Sequence, residues 1–218
     1  MSPTPDPQAA PDPARTAKQL VVLAALIGLC CLIEIVLTLS DWQVIDYVRL
    51  RQRAYEYAGF WPGLLDNWRP NYAAQPATMF LTYGFLHGGM GHLIVNMITL
   101  FSLGSAVMDR VIGRGFLVIY CGSILGGAVA YALLAQTPQP MVGASGALFG
   151  LAGALLGWNY LDRVDLREGI GPVIRMAGLL IAINIVMWWA LNGHLAWQTH
   201  LGGFLTGAVL ALTVYRRS

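Results

Sequence analysis

Long apolar stretches that are free of charged residues dominate the chain. Lys, Arg, Asp and Glu are absent from residues 70–108, 115–161 and 176–215, and Glu34 alone interrupts the apolar stretch 19–40. A helix that crosses a bilayer needs about 20 mostly apolar residues. Each stretch is therefore long enough to cross a membrane once, and the second and third of the charge-free stretches are long enough to cross it twice.

Turn-forming residues divide these two stretches. Pro and Gly occur in segments 136–140 and 192–194, and both residue types interrupt helices. The first charge-free stretch holds one span and an aromatic lead-in. We therefore predict an all-α membrane protein with six transmembrane helices, at residues 19–40, 88–108, 115–135, 142–160, 172–191 and 198–215.

The segments outside the spans differ in composition. Residues 1–18 contain five of the 11 prolines, which predicts a disordered cytoplasmic tail. Residues 19–217 then form one six-helix domain. Residues 41–83, called loop 1 below, are rich in Trp and Tyr, which favour the bilayer interface. We predict that loop 1 is a compact element at the outer membrane interface; a solvated loop is the alternative.

The overall composition excludes a soluble domain and several partners. Hydrophobic residues make up 56% of the chain and charged residues 11%, against about 25% charged in soluble proteins. The basic residues are scattered, which argues against nucleic-acid binding. The three cysteines lie in apolar runs without metal-ligand spacing. We therefore expect no metal and no cofactor.

The positions of Lys and Arg predict the orientation. Basic residues flank the spans in the N-terminal tail, in the connections between spans 2 and 3 and between spans 4 and 5, and at the C-terminus: Arg15, Lys18, Arg110, Arg114, Arg163, Arg167, Arg175, Arg216 and Arg217. Cytoplasmic segments carry an excess of such residues. Both termini are therefore predicted to be cytoplasmic, in a multi-pass protein of the bacterial inner membrane.

Four polar side chains lie where even-numbered spans begin. His92 and Asn96 are near the start of span 2, Ser145 starts span 4, and His200 is near the start of span 6. With six spans these starts share one side of the membrane, so the four side chains share a depth. Polar groups inside a bilayer are costly and are usually functional.

Their chemistry predicts acyl transfer. Gly143 and Gly146 flank Ser145 at a helix start, where free N–H groups stabilise negative charge. A serine needs a base to become a nucleophile, and His200 is the candidate. His92 and Asn96 lie four residues apart on one helix face and can donate hydrogen bonds to an oxyanion. No acidic residue lies near His200, so we predict a Ser–His dyad.

Span 6 also carries a packing motif. Gly203 and Gly207 form a small-xxx-small pair that permits close approach to a neighbouring helix. The glycine-rich span 4 is the expected neighbour. Tight packing of these spans would bring His200 to Ser145.

Together these segments resemble a rhomboid intramembrane serine protease over residues 78–215. The matching motifs lie in spans 2, 4 and 6: Phe85–Asn96 (FLHGGMGHLIVN), Gly143–Gly146 (GASG) and His200–Gly203 (HLGG) followed by Gly207. The resemblance implies a nucleophile at Ser145, a base at His200 and oxyanion donors at His92 and Asn96. It also implies a structural role for His87, stacking of Phe149 on the catalytic imidazole, and transmembrane proteins as substrates.

Two parts of the chain are candidates for controlling access. Span 5 is interpreted as a lateral gate, and segment 191–199 as a mobile cap, an idea that the resemblance favours. Glu34, inside span 1, is interpreted either as a support for loop 1 or as a neutral or snorkelling carboxyl.

Three other functions remain open at this point. A small-solute transporter suits six spans, although no inverted repeat or row of paired charges is visible. A metal-dependent enzyme could use the four histidines, but no His-Glu-x-x-His is present. An inactive rhomboid-like binding protein would retain the fold without the chemistry.

Overall fold

The computed structural model describes residues 13–111, 113–135 and 137–214, with side chains from residue 20 onward. Within these residues the chain forms helices joined by short connections, and no strand. Short 3-10 turns occur at Pro62–Leu65 and Tyr83–Phe85. The α-helices are α1 (Pro13–Asp41), α2 (Leu50–Ala58), α3 (Gln75–Thr82), α4 (Met90–Arg110), α5 (Gly113–Leu134), α6 (Ser145–Asp165), α7 (Gly171–Ala190) and α8 (Trp197–Val214).

Helices α1 and α4–α8 lie at the positions of the six predicted spans, and their ends differ from the prediction by at most three residues except at the start of α1 and at the end of α6, which extends to Asp165. Helix α1 begins at Pro13, so residues 13–18 of the predicted tail are helical, and residues 1–12 lie outside the described part. Among the described helices, α1, α4, α5 and α7 are long and apolar enough to cross a membrane. Glycine and polar side chains replace large aliphatic ones in α6 and α8, which lowers their hydropathy.

Helices α5, α6 and α8 form the centre of the bundle, and α6 and α8 pack backbone to backbone. A Cβ atom at Gly203 would collide with the carbonyl oxygen of Gly146, and one at Gly207 would collide with that of Gly150. We call these four residues the glycine seam. The predicted small-xxx-small packing is therefore present, and its partner is the predicted helix.

Loop 1 is folded and contacts the segment that precedes α6. It contains α2, α3 and the 3-10 turn Pro62–Leu65, and it ends where the 3-10 turn Tyr83–Phe85 begins. Phe60 is fully buried and pairs with Met141 through reciprocal backbone hydrogen bonds of 3.0 and 2.9 Å. Further along, the backbone N–H of Gly143 donates to the Tyr83 carbonyl at 3.0 Å. Loop 1 thereby fixes the position of residues 141–143, which lead into the N-terminus of α6.

One arginine joins loop 1 to α1. The Arg51 guanidinium forms a bidentate ion pair with the buried Glu34 carboxylate, with Nη2–Oε1 at 2.8 Å and Nη1–Oε2 at 3.0 Å. It also contacts Asp41 at 2.6 Å and donates to the His87 carbonyl at 3.2 Å. Glu34 is fully buried. Of the two interpretations of Glu34, the structure supports the one in which it holds loop 1.

The hydrogen-bond partners of Arg51 stabilise the protonated, positively charged form of its guanidinium. Burial acts to lower the pKa of the guanidinium, but hydrogen bonds to Glu34, Tyr55 and Asp41 outweigh it and raise the pKa above its usual value. Burial likewise raises the pKa of the Tyr55 phenol, against the opposing influence of Arg51. The protonated phenol donates to the same His87 carbonyl at 2.6 Å. Two loop 1 side chains therefore anchor the chain just before α4.

Helix α7 is the most loosely held of the long helices. None of its residues is buried, and it packs mainly on α6. Its C-terminal end carries Trp188 and Trp189, both exposed. Little apolar surface therefore fixes α7 to the rest of the bundle.

Candidate active site

Ser145 is the first residue of α6, two residues after a glycine that the local backbone requires. Gly143 has φ +134°, a conformation that other residues rarely adopt. A Cβ on Gly143 would also lie 2.8 Å from Cε1 of His92. This close approach brings the predicted oxyanion histidine of α4 beside the turn that carries Ser145.

His200 of α8 faces Ser145 across the glycine seam. The Nε2 atom of His200 lies 2.8 Å from Oγ of Ser145, a normal hydrogen-bond distance. The imidazole is buried, with 5% of the residue exposed. The two side chains are 55 residues apart in sequence, so the packing of α8 on α6 is what brings them together.

Two further side chains fix the imidazole ring. Phe149, one turn after Ser145 on α6, stacks on His200 with ring centroids 4.2 Å apart and an interplanar angle of 11°. Asn184 of α7 places Oδ1 at 2.7 Å from Nδ1 of His200. The predicted stacking by Phe149 is thus present. Phe149 covers one face of the imidazole, and Asn184 contacts Nδ1, the nitrogen that faces away from Ser145.

The two predicted oxyanion donors lie at the start of α4. Nδ1 of His92 accepts a hydrogen bond from the Gly88 backbone N–H at 3.1 Å, so Nε2 carries the proton of the neutral ring. Nδ2 of Asn96 donates to the His92 carbonyl at 3.0 Å, and its second hydrogen remains for another acceptor. His92 is exposed and Asn96 is buried.

His87 lies behind His92 and is fully buried. The two rings meet edge to face, with centroids 5.3 Å apart and an interplanar angle of 69°. Burial, with a smaller contribution from His92, lowers the pKa of His87 to about 4. His87 is therefore neutral at ordinary pH and packs against the ring of His92.

Gly146 completes the packing around the serine. A Cβ at this position would come 2.7 Å from Cγ2 of Thr199 and 3.2 Å from the Tyr83 hydroxyl. Thr199 immediately precedes His200, and its hydroxyl contacts the Met141 sulfur. The absence of a side chain at residue 146 thus lets the start of α8 approach the start of α6.

Sequence reasoning missed Asn184. Span 5 was considered only as a gate, yet Asn184 is the single side-chain amide between Arg175 and Asn192 in an otherwise apolar stretch. An amide in such a place is costly unless it has partners, which marks it as a candidate functional residue. No acidic residue was expected near His200, and the group that the structure places there is a neutral amide.

The geometry bears on the metal alternative as well. In the part of the chain that the structure describes, no three His, Cys, Asp or Glu side chains cluster as ligands would. Of the histidines, His87 and His92 pack together and His200 faces Ser145. The arrangement therefore favours acyl chemistry at Ser145 over a metal centre at the histidines.

A serine hydrogen-bonded to a buried histidine, within a bundle of apolar helices, defines the class as a multi-pass membrane protein with a serine-hydrolase type of site. Residues 74–217 match the Rhomboid domain. The chain belongs to the rhomboid family, a family of membrane proteases, as the motifs in spans 2, 4 and 6 indicated.

Individual relatives agree with this assignment. Rhomboid protease GluP of Bacillus subtilis (strain 168) is 37% identical over 138 residues, which is 61% of this chain and 26% of that protein. RHOMBOID-like protein 4 of Arabidopsis thaliana is 33% identical over 140 residues, 63% of this chain and 34% of that protein. Putative rhomboid protease YdcA of B. subtilis is 33% identical over 129 residues, 58% of this chain and 61% of that protein. The similarity thus covers about a quarter to a third of the first two relatives.

Proposed function

We propose that this protein is an intramembrane serine endopeptidase that hydrolyses peptide bonds in or near transmembrane segments of other membrane proteins. The observation that carries the proposal is the 2.8 Å contact between Oγ of Ser145 and Nε2 of His200. A buried imidazole at hydrogen-bond distance is what makes a serine nucleophilic. No cofactor takes part.

The reaction proceeds through a covalent acyl-enzyme. Nε2 of His200 takes the Ser145 hydroxyl proton while Oγ attacks the carbonyl carbon of the scissile bond. The protonated imidazole then gives this proton to the departing amine, and the C–N bond breaks. Water repeats the sequence on the ester, with His200 again as the base, and the acid product leaves Ser145 free.

The negative charge of the tetrahedral intermediate falls near the start of α6. The Ser145 backbone N–H, Nε2–H of His92 and the second amide hydrogen of Asn96 are the proposed donors. Support comes from the hydrogen bond of Gly88 to Nδ1 of His92, which leaves Nε2–H available. One donor of this kind contributes about 10²–10³-fold in rate.

The substrate class follows from the protection of a helical peptide bond. In a helix the carbonyl is already hydrogen-bonded, and the side chains block approach. Substrates must therefore unwind locally, and we propose transmembrane segments with Gly, Ala or polar residues near the outer face. Water enters from the same side, because non-helical backbone and water are tolerated at membrane depth only where protein lines a cavity.

We further propose that α1 and α4–α8 all cross the membrane, with both termini in the cytoplasm of a bacterial cell and the site in the outer half of the inner membrane. The basic residues of the predicted cytoplasmic connections support this orientation. The pair Arg110–Asp162, at 2.7 Å, joins the C-terminal ends of α4 and α6. These two helices therefore run in the same direction, as the six-span topology requires.

Access to the site is proposed to pass beside α7. The absence of buried residues in this helix supports the idea, because a weakly packed helix moves at low cost. Segment 191–199 between α7 and α8 is proposed as the cap. Asn192 and Gly193 in this segment have φ of 50° and 81°, which gives it a tight turn directly above Trp188.

A crosslink tests the gate. A disulfide between cysteines introduced on α7 and α4 is expected to lower cleavage of a transmembrane reporter at least tenfold, because α7 can no longer move aside. Reduction should restore the rate, and the same variant kept reduced throughout is the matched control. Undiminished cleavage by the fully crosslinked protein would contradict the gate.

Active-site labelling tests the proposed activity. The detergent-purified protein is expected to react with a fluorophosphonate probe at Ser145, and Ser145→Ala should remove all labelling without loss of helix content. A chelator should leave labelling unchanged. If the folded wild type is not labelled, an inactive rhomboid-like binding protein or a transporter becomes the better interpretation. If only the chelator prevents labelling, the metal alternative gains support.

A further inference from the structure

We propose that Asn184 is a positioning residue that holds His200 in the one tautomer able to act as a base toward Ser145. The inference rests on the proposed protease function and extends it to a helix that contributes no other side chain to the site. Its basis is the 2.7 Å contact between Oδ1 of Asn184 and Nδ1 of His200.

The orientation of the Asn184 amide follows from its second contact. Nδ2 of Asn184 lies 3.3 Å from the Leu180 carbonyl oxygen, one turn earlier on α7. A carbonyl oxygen only accepts, so the NH₂ group must face Leu180, and the amide oxygen must face His200. The opposite orientation would place two oxygens against each other. Asn184 therefore accepts a hydrogen bond from the imidazole.

This acceptor determines where the imidazole proton resides. Because Oδ1 of Asn184 can only accept, Nδ1 of His200 must carry the proton, and Nε2 keeps its lone pair. The lone pair then points at the Ser145 hydroxyl, 2.8 Å away. In the other tautomer, Nε2–H would face Oγ of Ser145 and could not take its proton.

Phe149 does not perform the same task. Its stacked ring, with centroids 4.2 Å apart, fixes the plane of the imidazole but has no preference between the nitrogens. The rest of the His200 side chain is shielded from solvent, since only 5% of the residue is exposed. Among the described contacts of the His200 ring nitrogens, the contact of Asn184 with Nδ1 thus determines which nitrogen carries the proton, and Ser145 contacts Nε2.

Asn184 also sits on the helix proposed to move. Helix α7 has no buried residue, and an amide in an apolar helix needs partners for both of its groups. One partner is Leu180 within α7 and the other is His200 across the interface. The base is therefore oriented only while α7 lies against the bundle.

Three variants test the role. Asn184→Leu, which is similar in size and accepts no hydrogen bond, is expected to lower kcat for a transmembrane reporter by about 10–100-fold with KM unchanged. Asn184→Asp keeps an acceptor at the same place, and its kcat should be at least tenfold higher than that of Asn184→Leu. The matched control is Val186→Ala on the exposed side of α7, 63% exposed, and it should stay within twofold of the wild type.

The imidazole tautomer gives a readout that a purely structural role would not move. In ¹⁵N-histidine-labelled protein, the His200 signals, identified by their loss in His200→Ala, are expected to show protonated Nδ1 in the wild type and in Asn184→Asp. Asn184→Leu should show a mixture of tautomers. A wild-type ring protonated at Nε2 overturns the proposal even if Asn184→Leu fails to fold.

The outcomes separate this inference from the proposed activity. If Ser145 labels in the wild type and Asn184→Leu retains its rate, or if Asn184→Leu and Asn184→Asp lose activity equally, the positioning role is wrong while the protease stands. If Ser145 does not label but the wild-type ring carries its proton on Nδ1 and Asn184→Leu mixes the tautomers, the positioning role stands and the protease does not.

Discussion

Replacement of His200 by Ala is expected to lower the cleavage rate of a transmembrane reporter by about 10⁴-fold or more. The physical reason is that the Ser145 hydroxyl loses the base that lies within hydrogen-bond distance of it. A hydroxyl that keeps its proton is a weak nucleophile, and the departing amine loses its proton donor as well. Initial rates with a fluorogenic reporter that carries a Gly- and Ala-rich transmembrane segment measure the effect.

The matched control lies on the same helix. Leu205→Ala, at a site 54% exposed on α8, removes a side chain of α8 without touching the pair and should leave the rate within about threefold. Ser145→Ala combined with His200→Ala should be no slower than either single variant, because the two side chains act as a unit. A rate for His200→Ala within tenfold of the wild type would mean that another group is the base.

Replacement of Arg51 by Met is expected to destabilise the protein by about 3–5 kcal/mol, because it leaves the buried Glu34 carboxylate without its counter-charge. Glu34 is fully buried, and among the side chains that the structure describes, the Thr38 hydroxyl, at 3.3 Å, is the hydrogen-bond partner that remains after the change. The free energy of unfolding in mixed detergent micelles, followed by helix content, measures the loss.

A double variant separates charge burial from loss of packing. Glu34→Leu combined with Arg51→Met removes both charges, and we expect it to recover more than half of the stability that Arg51→Met loses. Full recovery is not expected, since Arg51 also donates to the His87 carbonyl. If the double variant is as unstable as the sum of the two single variants, the unpaired charge is not the cause.

The positions of the long helices could be predicted from the sequence because a bilayer imposes a strong local rule. Charge-free stretches separated by Pro- or Gly-containing turns define helix number and boundaries without knowledge of the tertiary structure. The same holds for the Ser145 and His200 motifs, since few polar side chains occur inside the predicted spans. The glycines at 203 and 207 further indicated which helix α8 would contact.

The remaining parts depend on contacts between distant residues, which periodicity does not encode. The pairing of Glu34 with Arg51 joins a predicted span to a helix of loop 1, and the sequence offered several other cations for the same role. Asn184 differs, because the sequence shows a polar residue in an apolar span but does not show that its side chain faces His200. The contact of Phe60 with Met141 likewise follows from how loop 1 folds back on the bundle.

The glycine seam between α6 and α8 has a consequence for how the proposed protease can be controlled. Because main chain touches main chain at Gly146 and Gly203 and at Gly150 and Gly207, no side chains lie between the two helices there that could rearrange and let one helix slide along the other. The distance between Ser145 and His200, the proposed nucleophile and base, is therefore fixed by the packing of these two helices. Regulation by lipids, partners or voltage would have to act on entry of the substrate or on the tilt of peripheral helices.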